Sequence, residues 1–445
     1  MNNRVKWFGA GLAVFVALRV LPATGRADEG WVTLFDGKST AGWIQRGGKA
    51  LYTVEDGALV GRTVLGEKNS FLCPPKEYAD FVLEFEVWVD PKLNSGVQVR
   101  SASRPDYRDG VVHGYQIEVD PSERGWSGGV YDEQQRGWLT NPKDDPKAQK
   151  AFKVGEWNRY RVEASGDRLR TWVNDVPVSD LTDGMARSGF IGFQVHQAKE
   201  AGLVVKWQTI RLRELAAVKT GLAPNTLTDA ERAEGWHLLW DGRTTWGWRS
   251  AKGKEFPKGG WEIGNGELSV VETGGAESRA GGDIVTDPSF EAFDLKVEFR
   301  LTPGANSGIK YYVDTGLNQG EGSAIGLEFQ LLDDATHPDA RAGRDGNRTI
   351  ASLYDLVPAA PGKKMKPIGE WNEARVVSNG RHVEHWLNGA KVLEFERGSQ
   401  EFRKLVAISK YKVWPAFGER PSGPILLQDH GNHVSFRNLK IRPLK

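Results

Sequence analysis

Gly369-Glu370-Trp371-Asn372, continuing through Glu373-Ala374-Arg375-Val376-Val377-Ser378 to Asn379-Gly380, and then His382-Val383-Glu384-His385-Trp386-Leu387-Asn388-Gly389, decides how this chain is read. Two strand-like runs each end in Asn-Gly. That dipeptide accepts positive φ at both turn positions, which makes it a strong hairpin signal. The same phrase stands earlier as Gly155-Glu156-Trp157-Asn158, Gly166-Asp167 and Trp172-Val173-Asn174-Asp175. A β domain is therefore written twice.

Other markers align outward from these. Trp31-Val32-Thr33-Leu34-Phe35-Asp36-Gly37 matches Trp236-His237-Leu238-Leu239-Trp240-Asp241-Gly242. The spacing is far too long for a solenoid repeat, so each copy is a whole domain. Phe293, Leu295, Val297, Phe299 and Leu301 alternate with polar residues, as do Phe81, Leu83, Phe85, Val87 and Val89 in the first copy. Period-two patterning predicts strands with one buried face. The expected class is all-β, with two tandem sandwiches. The expected divisions are a signal peptide over 1–27, a first domain over 28–215, a linker over 216–233 and a second domain over 234–445.

The chain has 445 residues, with 59 basic against 58 acidic side chains. That balance gives no reason to expect nucleic acid or an anionic membrane as a partner. The 17 tryptophans suit sandwich cores or sugar-stacking platforms. Cys73, the single cysteine, allows no internal disulfide and reads as a small core residue. Arg4 and Lys6 precede an apolar run from Trp7 to Val20, and Gly25-Arg26-Ala27 offers a cleavage site. This predicts a signal peptide and a periplasmic or secreted protein with no membrane attachment after cleavage. The alternative is a retained anchor, although Arg19 interrupts the run.

Asn306-Ser307-Gly308, the stretch Gly326 to Asp334, Gly369-Glu370-Trp371-Asn372, His385-Trp386-Leu387-Asn388-Gly389 and Leu427-Gln428-Asp429-His430-Gly431 together resemble the 3-keto-disaccharide hydrolase family. The resemblance covers both copies. It implies a concanavalin A-like jelly-roll fold in each, a carbohydrate substrate and cleavage of glycosides oxidised at carbon three. The first copy departs from the pattern, with Phe193-Gln194-Val195-His196-Gln197 and Trp172-Val173-Asn174-Asp175.

Strand geometry gathers the polar residues independently. Residues two apart share a face, roughly 7 Å apart. Glu328 with Gln330, Gln428 with His430, and Lys310 with Tyr312 then point away from the core. The first copy gives Gln116 with Glu118, Gln194 with His196, and Gln98 with Arg100, so amide and carboxylate have traded places.

A carbon-three ketone acidifies the neighbouring C–H, so cleavage by elimination and hydration needs a base, an acid and a stabiliser for the enolate. Under the resemblance His430 is the base, Glu328 or Asp355 the acid and Lys310 the stabiliser. Asn306, Gln330, Gln428 and Trp386 would hold the sugar. The first-copy counterparts are His196, Glu118 and Asp132, with Asn94, Arg100, Gln116 and Gln194 binding.

No cofactor is expected. Asp333, Asp334, His337, Asp339 and Asp345 are compatible with Ca²⁺ but lack EF-hand spacing, and polar loop residues are the plainer reading. The competing functions are a non-catalytic, lectin-like tandem binder and an ordinary two-carboxylate glycosidase.

Overall fold

The computed structural model describes residues 30–444 except 106, 219–222, 276 and 415. The expected signal peptide lies outside them. Among the described residues no helix is long and apolar enough to cross a membrane.

Antiparallel strands form four sheets, two from Trp31–Glu214 and two from His237–Pro443. Among the described residues three sheets have eight strands and one has five. Each pair encloses its own core. In the first, Leu83, Phe85 and Val87 meet Val97, Ile117 and Phe193; in the second, Leu295, Val297 and Phe299 meet Ile309, Phe329 and Leu427. The alternation in Phe81–Val89 and Phe293–Leu301 therefore faces a second sheet, as period two requires.

The repeated hairpin phrase is architectural. Asn388 and Gly389 take φ of 50° and 80°, and Asn174 and Asp175 take 48° and 66°. Aspartate thus serves in the first copy's turn where glycine serves in the second. The Asn388 amide donates to Asn372 Oδ1 at 2.8 Å and accepts from the Glu373 N–H at 2.9 Å. Asn174 repeats both bonds, at the same lengths, with Asn158 and Arg159. The Asn of Gly-x-Trp-Asn and the Asn of the turn are therefore one device for closing a hairpin.

Within the segment expected to link the copies, Asp229–Ala233 is a short helix closed by a Thr228–Glu231 capping box. The copies also touch directly. Arg136, whose side chain is 1 % exposed, pairs with Asp132 and reaches Asp183 at 2.7 Å and Asp241 of the second copy at 3.0 Å.

The copies differ over the sheet that carries the polar face. In the first, the strands Val130–Glu133 and Gly137–Thr140 extend it. In the second, only isolated bridges at Leu353 occupy that place. The second copy instead adds the helix Gln400–Ala407 and the 3₁₀ turn Lys410–Val413 ahead of Leu426–Leu427. The first passes from Thr182 to Gly189 without either.

Candidate active site

In the second copy the strand Asn306–Asp314 runs between Ile325–Leu332 and Leu426–Leu427. Gly308 lies opposite Gln330, and Lys310 lies opposite both Glu328 and Leu426. Ile309, Phe329 and Leu427 fill the core. Lys310, Glu328, Gln330 and Gln428 consequently share the other face. That face is not wet: Lys310 is 5 % exposed, Glu328 3 % and Gln330 1 %.

Lys310 Nζ stands 3.7 Å from Glu328 Oε2. It donates to Ser323 Oγ and, at 3.0 Å, to the Ala324 carbonyl. Ser323 in turn donates to Asp283 Oδ2 at 2.5 Å. Burial pushes the Glu328 carboxyl above the ordinary glutamate range, against the pull of Lys310 and Lys410. Asp283 is raised for the same reason, against Lys310. The Gln330 amide, oriented to satisfy its partners, donates to Glu328 Oε1 at 3.2 Å.

Gly308 makes room for the acid. A Cβ there would lie 2.4 Å from Glu328 Oε1. Gly308 itself keeps regular register, opposite Gln330. A bulge comes later on the strand, where the register shifts between Tyr311 and Asp314. Tyr312, at φ 52°, is turned into the core by it.

Lys410 enters from the inserted 3₁₀ turn, with its ammonium 4.2 Å from the centre of the Tyr354 ring. The residue as a whole is exposed, but desolvation around its amine lowers it from the ordinary lysine value, partly offset by Glu328. Glu277 comes from a loop on the other side and accepts from Gln428 Nε2 at 3.3 Å. Together Glu277, Lys310, Ser323, Lys410, Tyr411 and Trp414 line a cavity of about 290 Å³.

His430 lies beyond Gln428, with its ring centre 6.2 Å from that of His337. Its Nδ1 is buried and has no hydrogen-bond partner among the described residues. His337 is held below the ordinary histidine value by burial and by His430. Asn306 joins the same end of the face, with its N–H on Asn432 Oδ1 at 3.2 Å.

Four further expectations need correction. Asp355 faces the protein: Oδ1 accepts from Arg348 at 2.9 Å and Oδ2 from the Lys410 N–H at 2.8 Å. With both oxygens engaged it anchors the Lys410 turn rather than donating protons. Trp386 shares the outer face of the opposite sheet with His382 and Glu384 and donates to Glu384 at 2.8 Å. Arg100, at φ 48° in a bulge, turns away from Gln98 and pairs with Asp80 at 2.9 Å. Asp132 lies opposite the core residue Tyr115, so it is Tyr131, opposite Gln116, that faces the polar surface.

The acidic loop is self-contained. Asp333 accepts from the Gly304 N–H at 2.8 Å, Asp334 from the Ile350 N–H at 2.7 Å, and Asp339 from Arg348 at 3.0 Å. His382, Glu384 and Glu394 cluster on the opposite sheet, but Lys391 already reaches both glutamates, at 3.2 and 2.7 Å.

The first copy's face keeps the layout and changes the chemistry. Gln98 and Gln116 occupy the places of Lys310 and Glu328, and Gln98 Nε2 donates to Gln116 Oε1 at 3.0 Å. Glu118, in the place of Gln330, accepts from Asn94 at 2.7 Å and from Gln116 at 3.1 Å. Burial pushes its carboxyl up to about 7. His196 donates from Nδ1 to the Gln197 carbonyl at 2.7 Å, and Gln194 is fully buried.

Sequence reasoning missed Lys410, Glu277, Tyr354 and Asp283 and placed His337 in the acidic loop, as a loop residue or Ca²⁺ ligand, away from His430. A Lys410 signal existed, since the stretch around it has no counterpart in the first copy.

Comparison with known proteins follows the same division. A family model described as a 3-keto-alpha-glucoside-1,2-lyase-like domain matches residues 30–213 and again 235–442. A 3-keto-disaccharide hydrolase of Bacteroides thetaiotaomicron is 36 % identical over 232 residues, which is 48 % of this chain and 79 % of that protein. Two crystal structures from Parabacteroides distasonis ATCC 8503, provisionally described as glycosyl hydrolases, are 30 % and 26 % identical. They cover 50 % and 44 % of this chain and 100 % and 99 % of their own, with TM-scores of 0.44 and 0.33.

Proposed function

Because this chain belongs to the 3-keto-alpha-glucoside-1,2-lyase-like family and carries two of its domains, we propose that the second domain cleaves glycosides bearing a ketone at carbon three. The observation that carries the reading is the buried Lys310–Glu328 pair, 3.7 Å apart beside a cavity and lost from the first copy.

The chemistry asks for three groups. A base removes the proton at carbon two, and the electron pair moves onto the ketone oxygen as an enolate. The enolate then expels the anomeric oxygen, which an acid protonates, and water adds to the resulting double bond. His430 is the base, an imidazole whose buried Nδ1 has no hydrogen-bond partner among the described residues. Glu328 is the acid, since a raised pKa keeps the proton it must give. Lys310 takes the enolate charge, with Lys410 as a second cation in the same cavity. Gln330, Gln428 and Asn306 hold hydroxyls.

The basic and apolar N-terminus supports export to the periplasm or beyond. The test is a chromogenic 3-keto-glucoside beside its unoxidised parent. Release from the ketone alone supports elimination. Release from both points to a two-carboxylate glycosidase, and binding without release points to a lectin.

A further inference from the structure

The first domain's polar face is not a decayed copy of the second. Losing a buried cation and its acid by drift would leave unpaired groups, which are costly. Instead the replacements are mutually satisfied. Ser101 Oγ donates to Gln98 Oε1 at 2.6 Å, Gln98 to Gln116 at 3.0 Å, and Gln116 to Glu118 at 3.1 Å. Gly96 leaves room for the Gln116 side chain, whose Cδ would lie 2.6 Å from an added Cβ. The row is a finished polar floor of amides ending in one carboxyl.

Against that floor one group stands out. Gln194, 0 % exposed, has neither amide atom hydrogen-bonded. It pairs across the strands with Gly96, which in turn lies opposite Glu118, so its amide belongs to the polar face. Above the floor is a cavity of about 480 Å³ walled by Asn94, Glu118, Arg124, Tyr131, Trp138 and His196. Arg124 lies 5.1 Å from the Trp138 ring and reaches Glu118 at 3.3 Å, fixing both.

Amides beside a carboxyl, with aromatic rings at the wall, match vicinal hydroxyls, which donate and accept at once. They do not match the Lys310–Glu328 arrangement, because Gln98 replaces the buried lysine and the remaining cation, Arg124, is paired with Glu118 and Asp120. We propose that the first domain is a binding site for unoxidised, neutral glycosides, which it holds without cleaving. The proposal rests on the second domain being the cleaving one.

The test uses the full chain. Calorimetric titration with maltose, cellobiose, sophorose and trehalose is run on the wild type and on Trp138→Ala, Gln194→Leu and Lys310→Met, with thermal midpoints recorded. In the same samples kcat/KM is measured on a 3-keto-glucoside. One equivalent of at least one disaccharide should bind. Trp138→Ala, at the accessible wall, should weaken that at least tenfold with cleavage of the ketone unchanged, and Gln194→Leu should weaken disaccharide binding likewise.

Three results would overturn the proposal: no binding of any disaccharide, binding abolished by Lys310→Met but not by Trp138→Ala, or loss of cleavage in Trp138→Ala at a normal thermal midpoint. Absence of keto-glycoside cleavage in every protein, with disaccharide binding intact, would instead refute the reading of the second domain.

Discussion

Gly308→Ala isolates the reasoning about the acid from the rest of the fold. The backbone there is ordinary extended strand, so alanine adds no conformational strain. Its Cβ would meet Glu328 Oε1 at 2.4 Å, Cδ at 2.9 Å and Cγ at 3.0 Å. Ordinary contact needs about an ångström more, so the carboxyl must swing aside and its bonds to Lys310 and Gln330 must lengthen. Moving a flexible side chain off its rotamer costs about 1 kcal/mol, a shift of about 3 °C in thermal midpoint for a domain of this size. A reacting group misplaced by about an ångström costs on the order of 10²-fold in rate. The expected outcome is thus a folded protein with kcat/KM on a 3-keto-glucoside down about a hundredfold. Gly96→Ala supplies the control, because its Cβ would strike Gln116 in the same way. It should show a similar small thermal shift and full activity. Activity within twofold of wild type in Gly308→Ala, at a normal midpoint, would refute the role given to Glu328.

Replacing Lys310 by Met removes the charge facing the ketone and should lower kcat by about 10²–10³; an unchanged kcat would remove Lys310 from the chemistry. Glu118 keeps its proton to about pH 7 when folded and releases it near the ordinary glutamate value when unfolded. Between those values the native state holds more protons, so stability falls as pH rises, by up to about 3 kcal/mol. Glu118→Gln should flatten that loss, which denaturant titrations at pH 5 and pH 8 would read. Arg136→Met strands three buried carboxylates and should cost about 3–5 kcal/mol, measured by the same titration and partly restored by acid. Trp386→Ala should leave keto-glycoside turnover within twofold, since its ring lies on the far sheet.

Much of this was written plainly in the chain. The duplication, the hairpins and the pairing of Glu328 with Gln330 follow from period two and turn chemistry, which act locally. The errors came where locality fails. One left-handed residue, Arg100 or Tyr312, reverses which side chains face out, and neither residue type announces it. Whether Tyr131 or Asp132 faces the site depends on the register of a short irregular strand. Lys410 arrives from an insertion far along the chain, and its depth depends on Asp355 and Tyr354, which no spacing rule connects to it.

Asp241 and Asp36 sit at the same turn of the two repeats, and each caps its own loop, Asp241 through Arg243 and Thr244 and Asp36 through Lys38 and Ser39. Only Asp241 also receives a guanidinium from the other repeat. The same turn is half of a joint in one repeat, while its twin looks at water. The tandem protein is therefore welded at one seam, and severing it there would leave Arg136 facing solvent where its third carboxylate had been. Halves expressed separately would report on a damaged surface, so roles are better divided by point substitutions in the intact pair.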